Sequence, residues 1–370
     1  MNRVFKVIIS GGGTGGHIYP AIAIAHQIKT QYPQAELLFV GAEGKMEMEK
    51  VPAEGYRIIG LPVAGLQRRA LLKNLWLPVK IAKSLSRARQ ILKDFRPDVA
   101  IGMGGFASGP LLWVAAGRGI PCLIQEQNSY AGITNKLLAK KVNTICVAYT
   151  DMERFFPKEK IRLTGNPVRS NILPAGPELR EEGRRFFGIE PGRICVLVTG
   201  GSLGAKTFNR CVQAYREQEG IDAPVDIIWQ CGAYYRQDCQ NFVENYPAKW
   251  LHLHPFIQRM DLAFAAADVV ISRSGAGTIA ELCMAGKPVV FVPSPNVSED
   301  HQTHNAMALV REEAALIVTE EQASAQLMQT ALNLAGNPEQ KASLARNILR
   351  LAKPDAAKAI VNEMLNLLKY

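Results

Sequence analysis

The sequence lacks a long hydrophobic run. None of its 370 residues falls in a window approaching the roughly 18 consecutive apolar residues of a transmembrane helix. The apolar stretch at the start of the chain is a short strand pattern that leads into a glycine loop, which does not indicate a signal peptide. We therefore expect a globular protein that remains in the cytoplasm.

Paired cysteines are missing as well. The seven cysteines are odd in number, form no C-x-x-C pair, and lie mostly in apolar strand or helix patterns. This distribution predicts reduced, buried thiols rather than disulfides or a metal site. His301 and His304 have the spacing of metal ligands on a helix, but no third ligand accompanies them, so neither a metal nor another cofactor is expected.

Acidic residues are absent from a long segment of the first half. Residues 1–164 carry 23 Lys and Arg against 11 Asp and Glu, and residues 55–93 carry nine basic residues and no acidic one. Leucine and tryptophan alternate with these basic residues. Such a segment can bind the anionic headgroups of a membrane, form a basic helix exposed to solvent, or bind RNA. Tryptophan between two leucines favours the membrane over nucleic acid. The predicted membrane-binding residues are Arg68, Arg69, Lys73, Leu75, Trp76 and Lys80.

Short apolar strand patterns alternate with helical patterns along the whole chain. This alternation predicts parallel β-sheets with helices on both faces. Glycine and proline interrupt this alternation of strands and helices at residues 164–167, and the alternation begins again after them. The predicted fold class is therefore α/β, with two Rossmann-like, doubly wound domains that face a cleft. The predicted strands are residues 4–10, 35–40, 57–61, 98–102, 121–125, 143–147, 193–199, 225–230, 250–254, 268–272 and 288–292.

A glycine loop, GGGTGGH at residues 11–17, joins the first strand pattern to the first helix pattern. Glycines there let main-chain N–H groups approach a phosphate at the positive end of the helix. The loop satisfies the dinucleotide pattern G-x-G-x-x-G, but the pattern alone defines the ligand only as phosphate-bearing. His17 adds a titratable group on the first turn.

Four further loops follow predicted strands, at the sheet edge where ligands bind in such folds. They span residues 102–110, 125–128, 272–278 and 293–305. The loop at 272–278 opens a helix that carries Glu281, and this arrangement suits a pyrophosphate and the hydroxyls of a ribose. Phosphate-binding loops in both halves of the chain favour an enzyme that transfers a group from a nucleotide-linked donor over one that transfers hydride.

With these loops assembled, the chain resembles the family 28 glycosyltransferases of the GT-B class, in particular the N-acetylglucosaminyltransferases that complete lipid II. The motifs run nearly end to end and in one order. They are GGGTGGHIYPAIAIA at 11–25, GGFASGP at 104–110, EQNSYAGITNK at 126–136, GNPVR at 165–169, GGSLGA at 200–205, SRSGAGTIAEL at 272–282 and DHQTHNA at 300–306.

The resemblance implies inverting transfer of N-acetylglucosamine (GlcNAc) from UDP-GlcNAc to the C4 hydroxyl of N-acetylmuramic acid (MurNAc) in lipid I, the undecaprenyl-pyrophosphoryl-MurNAc-pentapeptide. It implies an acceptor- and membrane-binding domain at 1–164 and a UDP-GlcNAc domain at 165–353, with a helix at 354–370 packed back on the first. It also implies a peripheral protein on the cytoplasmic face of the bacterial inner membrane, with other cell-wall synthesis proteins as partners.

The family motifs also imply site residues. His17, or less readily Glu126, takes the proton of the acceptor hydroxyl. The donor contacts are Thr14, Gly15, Gly16, Asn128, Arg169, Ser202, Ile257, Ala276, Gly277, Thr278, Glu281 and Gln302. The chain departs from the family twice, with Gln125 where a histidine usually stands and Gly277 where leucine is frequent.

Three rival functions remain at this point. The first loop, with Glu43 after the second strand, also fits an NAD-dependent oxidoreductase. Another membrane-surface GT-B transferase, such as a diacylglycerol glycosyltransferase, would share much of this layout. A third possibility is a nucleotide-binding scaffold without catalysis.

Overall fold

The computed structural model of the chain describes residues 4–63, 77–168, 171–201 and 203–368. The chain divides into two compact units. The first comprises residues 1–168 and 354–370, and the second comprises residues 169–353. Each has its own parallel sheet.

The first unit contains, in its described residues, a seven-stranded sheet in the order β3-β2-β1-β4-β5-β6-β7. All neighbouring strands are parallel. The strands are β1 (Lys6–Ser10), β2 (Glu36–Ala42), β3 (Ile58–Leu61), β4 (Val99–Gly102), β5 (Cys122–Glu126), β6 (Thr144–Val147) and β7 (Ile161–Leu163). The direction in which strands are added reverses between β1 and β4, so ligands are expected beyond the carboxyl ends of this pair.

Helices cover both faces of this sheet. They are α1 (Gly15–Gln31), α2 (Glu47–Ala53), α3 (Leu77–Phe95), α4 (Ser108–Gly117) and α5 (Ile133–Leu138), together with α14 (Ala356–Leu367) at the end of the chain. The last helix packs against α1, and its Ile360, Val361 and Met364 are buried in the same core cluster as Ile18 and Ile22. The final segment thus completes the first unit.

The second unit contains, within its described part, a six-stranded parallel sheet in the order β10-β9-β8-β11-β12-β13. The strands are β8 (Ile194–Thr199), β9 (Val225–Gln230), β10 (Leu251–His254), β11 (Val269–Ser272), β12 (Val289–Phe291) and β13 (Leu316–Ile317). Here the order reverses between β8 and β11. The helices are α6 (Pro177–Phe187), α7 (Lys206–Glu219), α8 (Arg236–Asn245), α9 (Met260–Ala266), α10 (Ala276–Ala285), α11 (His301–Arg311), α12 (Ala323–Ala335) and α13 (Pro338–Arg350).

The two sheets confirm the predicted α/β class, and each predicted strand matches an observed one to within a few residues. The central strands are buried on both faces, which is why they appear in the sequence as continuous apolar runs. Strands β7 and β13 were not predicted, because they are edge strands of three and two residues and neither is fully buried.

All seven cysteines are free and buried, as their pattern predicted. Burial raises the pKa of the Cys122, Cys195 and Cys283 thiols to about 12. Within the described ranges, no helix combines the length and apolar character needed to cross a membrane.

Candidate active site

The first glycine loop is held by a carboxylate that the sequence did not single out. Glu47, buried at the start of α2, accepts hydrogen bonds from the main-chain N–H groups of Gly13 (3.0 Å) and Ala42 (2.9 Å). A Cβ at Gly12 would lie 2.0 Å from its Oε1. A side chain at Gly12 would therefore displace the Glu47 carboxylate, and the Gly13 N–H is already used within the protein.

His17 lies on the first turn of α1 and is half-buried. Its Nδ1 is 3.1 Å from the carbonyl oxygen of Gly12 and 3.2 Å from Thr14 Oγ1. A carbonyl can only accept a hydrogen bond, so a neutral His17 carries its proton on Nδ1. In that tautomer Nε2 is the nitrogen with a lone pair, which is the form a general base requires.

The loop after β4 shapes the surroundings of this imidazole. Gly104 and Gly105 have φ of +88° and +81°, a conformation that glycine adopts without strain. A Cβ at Gly105 would lie 2.4 Å from the Gly12 carbonyl oxygen, while one at Gly104 would lie 3.1 Å from His17 Nε2 and 3.6 Å from Asn135 Nδ2. The loops after β1 and β4 therefore meet backbone to backbone, and His17 and Asn135 both border Gly104.

Glu126 ends β5 and is buried. Its Oε1 accepts from the main-chain and side-chain nitrogens of Asn128 (3.1 and 3.2 Å), and its Oε2 accepts from Gly132 N (3.0 Å) and Asn135 Nδ2 (2.9 Å). Four donors occupy the carboxylate, which orders residues 126–135. This geometry suits a group that positions its neighbours.

Gln125, which stands where the family usually has a histidine, also has several hydrogen-bond partners. Gln125 is buried, and its Nε2 donates to Asn166 Oδ1 (2.9 Å). Gln127 donates to Gln125 Oε1 and to Met103 O, while Asn166 Nδ2 returns a bond to Gln127 O (2.9 Å). This amide network joins the ends of β4 and β5 to the GNPVR motif.

In the second unit, the glycine loop after β8 packs against the end of β9. Gly204 and Gly232 approach so closely that a Cβ on Gly232 would lie 2.4 Å from Gly204 Cα. Gln230 at the end of β9 donates to Gly201 O (2.8 Å) and accepts from Ile257 N (3.0 Å). The predicted uracil contact of Ile257 must therefore come from its side chain or carbonyl, because its N–H is used.

The N-terminus of α10 has the features expected of a phosphate site. Gly275 is its N-cap, and an added Cβ at Gly277 would meet nothing within 4 Å, so the space beside the first turn of the helix is open at Gly277. Gln302 on α11 accepts from Ser294 N through its side chain (2.9 Å) and from Ser274 Oγ through its main chain (2.8 Å). Gln302 is thereby fixed to the loops after β11 and β12.

Arg273, which follows β11, is paired with Glu320. The Nη1 and Nη2 atoms lie 2.5 and 3.3 Å from the two carboxylate oxygens, and Thr207 Oγ1 also donates to Glu320. Burial raises the pKa of Glu320, but the hydrogen bonds from Arg273 and Thr207 outweigh that effect and hold it below its ordinary value. No sequence pattern pointed to this pair, whose members are 47 residues apart.

Some predicted site residues fall outside the described ranges. These are Arg169 and Ser202 for the donor and Arg68, Arg69, Lys73, Leu75 and Trp76 for the membrane. Lys80 is described and is exposed on α3. The remaining predicted donor residues lie in the loops and helices that follow strands, in two groups, with Thr14, Gly15, Gly16 and Asn128 in the first unit and Ile257, Ala276, Gly277, Thr278, Glu281 and Gln302 in the second. Their contacts with the donor stay predictions.

Comparison with known proteins identifies the family to which the chain belongs. Residues 7–147 match the glycosyltransferase family 28 N-terminal domain, and residues 195–360 match the glycosyltransferase family 28 C-terminal domain. A UDP-N-acetylglucosamine--N-acetylmuramyl-(pentapeptide) pyrophosphoryl-undecaprenol N-acetylglucosamine transferase of Parabacteroides distasonis is 52% identical over 366 residues, covering 99% of both chains. The Bacteroides fragilis protein of the same name is 52% identical and covers 98% of this chain and 95% of its own.

A solved structure agrees with these relatives. The crystal structure of Acinetobacter baumannii MurG matches with a TM-score of 0.79 at 29% identity, over 98% of this chain and 99% of that one. The two family models thus match the two halves of the chain, and the relatives and the solved structure match nearly its whole length. The chain belongs to glycosyltransferase family 28, among the UDP-N-acetylglucosamine transferases of the name given above.

Proposed function

We propose that this protein transfers GlcNAc from UDP-GlcNAc to the C4 hydroxyl of MurNAc in lipid I, with inversion at the anomeric carbon, to give lipid II. The substrates follow from the names of relatives that match the whole chain at about half identity. The observation that carries the chemistry is the contact between His17 Nδ1 and the Gly12 carbonyl, because it assigns the lone pair to Nε2.

The reaction is a single in-line displacement. The acceptor C4 oxygen forms a bond to the anomeric carbon while the bond from that carbon to the UDP oxygen breaks, and the bonding pair leaves with UDP. His17 Nε2 accepts the hydroxyl proton as the attack proceeds. His17 lies in the first turn of α1, at the positive end of the helix dipole.

Glu126 supports this reaction without taking the proton. Its oxygens already accept from Asn128, Gly132 and Asn135, and transfer of a proton to the carboxylate would disrupt those bonds. It therefore holds Asn128, a predicted donor contact, and Asn135 beside Gly104 and His17. We assign it a positioning role.

The second unit binds the donor. The first-turn N–H groups of α10 and the positive end of its helix dipole stabilise the negative charge that develops on the departing diphosphate. Glu281, half-buried on the same helix, accepts from the ribose hydroxyls, and Ile257 packs on uracil. Gln302 uses its carbonyl oxygen on Ser294 N, which leaves its NH2 group to donate to the sugar.

Membrane contact is proposed on the first unit. Trp113 on α4 and Leu137 on α5 are 47% and 66% exposed, and the ammonium of Lys141 lies 4.1 Å from the Trp113 ring centroid. Val79 and Ile81 on α3 are exposed beside Lys80. Exposed apolar side chains among lysines suit the anionic cytoplasmic face of the inner membrane.

Vesicle sedimentation tests the membrane contact. The double variant Trp113→Ala/Leu137→Ser is expected to reduce binding to phosphatidylglycerol vesicles, whereas Ile221→Ser, which removes an exposed apolar residue of the second unit, is expected to bind as wild type. Equal binding by both variants would contradict this assignment. A similar loss after replacing Arg68, Arg69, Lys73 and Trp76 is expected from the sequence.

Ligand-dependent stabilisation separates the proposed activity from an oxidoreductase. UDP-GlcNAc at about 100 times its Kd should stabilise the folded protein by about 2.7 kcal/mol, and NADH at the same concentration should not. Assays with a lipid I analogue and with diacylglycerol as acceptors then distinguish the two transferase functions. Stabilisation by NADH alone, or transfer only to diacylglycerol, would refute the proposal.

A further inference from the structure

Three side chains of the second unit form a cluster that the reaction above does not use. Glu320 follows β13, Arg273 follows β11, and Thr207 is the second residue of α7, which follows β8. Glu320 accepts hydrogen bonds from Thr207 Oγ1 and from both terminal nitrogens of Arg273. The side chains of Arg273 and Glu320 are largely buried, at 13% and 24% exposed.

Arg273 extends this cluster to a fourth strand. Its Nη1 also donates to the main-chain carbonyls of Val292 (3.0 Å) and Pro293 (3.1 Å), just after β12, and its guanidinium lies 4.7 Å from the Phe208 ring centroid. Since β8, β11, β12 and β13 are consecutive neighbours in the sheet, the cluster spans the carboxyl ends of four adjacent strands. A guanidinium so occupied acts as a brace rather than as a phosphate ligand.

Each braced segment adjoins a proposed donor contact. Arg273 immediately precedes Ser274 and the N-terminus of α10, Pro293 precedes the Ser294 N–H that holds Gln302, and Thr207 follows the loop at 200–205. We propose that Glu320, through Arg273 and Thr207, is a positioning group that sets the affinity of the site for the nucleoside diphosphate without touching it. This inference rests on the proposed function, because it presumes that the donor occupies these loops.

Four variants of the full-length protein test the inference. Thr207→Val keeps the side-chain shape but removes the hydroxyl, Thr207→Ser keeps the hydroxyl, Glu320→Gln removes the charge, and Glu321→Gln makes the same change at the exposed neighbour. Calorimetric titration gives the Kd for UDP, initial rates give kcat and both KM values, and thermal melts report stability.

We expect Thr207→Val to raise the Kd for UDP about threefold to tenfold and Glu320→Gln at least about tenfold, by analogy with coupling energies between contacting residues. The donor KM should rise in parallel, while the acceptor KM stays constant. Thr207→Ser and Glu321→Gln should match wild type. Variants that melt earlier but bind UDP with the wild-type Kd would overturn the inference, as would an equal rise in the acceptor KM.

Amide hydrogen exchange gives a readout that needs no substrate. Glu320→Gln should accelerate exchange at residues 203–207, 274–278 and 292–296 together. Acceleration confined to residues 318–322 would refute the proposal that Glu320 holds the other three segments in place. If wild-type protein bound UDP but transferred no GlcNAc, the proposed function would fail while the effect of Glu320→Gln on the Kd for UDP would still decide this inference.

Discussion

Glu126 Oε2 accepts a hydrogen bond of 2.9 Å from the side-chain nitrogen of Asn135, and both residues are buried. The bond joins the end of β5 to α5, the short helix whose Asn135 borders Gly104 beside the His17 imidazole. A carboxylate at this point is therefore part of the scaffold that presents the proposed base. The distinction between scaffold and base can be measured.

Replacing Glu126 by glutamine should lower stability as well as activity. Glutamine offers one acceptor oxygen and one NH2 group, so its nitrogen would face one of the two pairs of donors that now bond the carboxylate. We expect a loss of about 2 kcal/mol, or about 4–8 °C in Tm, from the unsatisfied donors. Thermal melts check this, and a wild-type Tm with a large fall in kcat would instead identify Glu126 as the base.

Replacing His17 by alanine should remove the proton acceptor without disturbing the donor site. We expect kcat to fall about 10²–10⁴-fold with saturating acceptor, the usual contribution of a general base. The Kd for UDP should change far less than kcat, since the contacts proposed for uracil, ribose and the departing diphosphate lie in the second unit and Thr14, Gly15 and Gly16 remain in place beside residue 17. His26→Ala, an exposed histidine on the same helix, is the matched control. Near-full turnover by His17→Ala would show that the base is another group.

Gly104 provides an independent test of the same geometry. Alanine there would place a methyl group 3.1 Å from His17 Nε2 and would hold φ near +88°, which costs an L-residue about 1–2 kcal/mol. Gly104→Ala should therefore lower both Tm and turnover. Gly109→Ala, on α4 with only an ordinary contact to Thr134, should retain both. A wild-type kcat for the Gly104→Ala variant would show that His17 Nε2 takes no part in the reaction.

Stability at acid pH should depend on Asp226, which is buried near the start of β9. Burial raises the pKa of this carboxyl, but hydrogen bonds from His252 Nε2 (2.9 Å) and Arg193 Nε (2.5 Å) outweigh that effect and hold the pKa below its ordinary value. A carboxyl with a lowered folded-state pKa stabilises the fold above its unfolded pKa and loses that contribution as pH falls through the folded value.

Asp226→Asn should accordingly lose about 1–3 kcal/mol at pH 7 and show a flatter decline in stability below pH 4 than wild type. Urea unfolding at pH 7, 4 and 3 measures both effects. Parallel curves for the two proteins would show that Asp226 does not titrate on unfolding.

The sequence predicted the strands well because most are buried on both faces. Val99–Gly102 and Thr144–Val147 have every residue buried, so their apolar runs are unmistakable. Ile161–Leu163 and Leu316–Ile317 escaped prediction since so few residues carry no periodicity. The glycine loops were likewise recognisable, because Gly104 and Gly105 both have the positive φ that favours glycine and a Cβ at Gly105 would also clash with the Gly12 backbone.

The supporting contacts could not be predicted in the same way. Glu47 lies 34 residues from Gly13, and Glu320 lies 47 residues from Arg273, so only the folded topology brings each pair together. The role of Gln125 was hidden for the same reason. In the sequence it was only a departure from the histidine that the family usually has, whereas the structure shows an amide that bonds Asn166 across 41 residues.

Transfer of radiolabelled GlcNAc tests the central claim most directly. Purified wild-type protein is incubated with radiolabelled UDP-GlcNAc and a lipid I analogue, and the products are separated and their anomeric configuration determined. The account predicts label in a lipid II product with a β-linkage, together with release of unlabelled UDP. Absence of labelled product from folded protein that binds UDP, or an α-linked product, would contradict it.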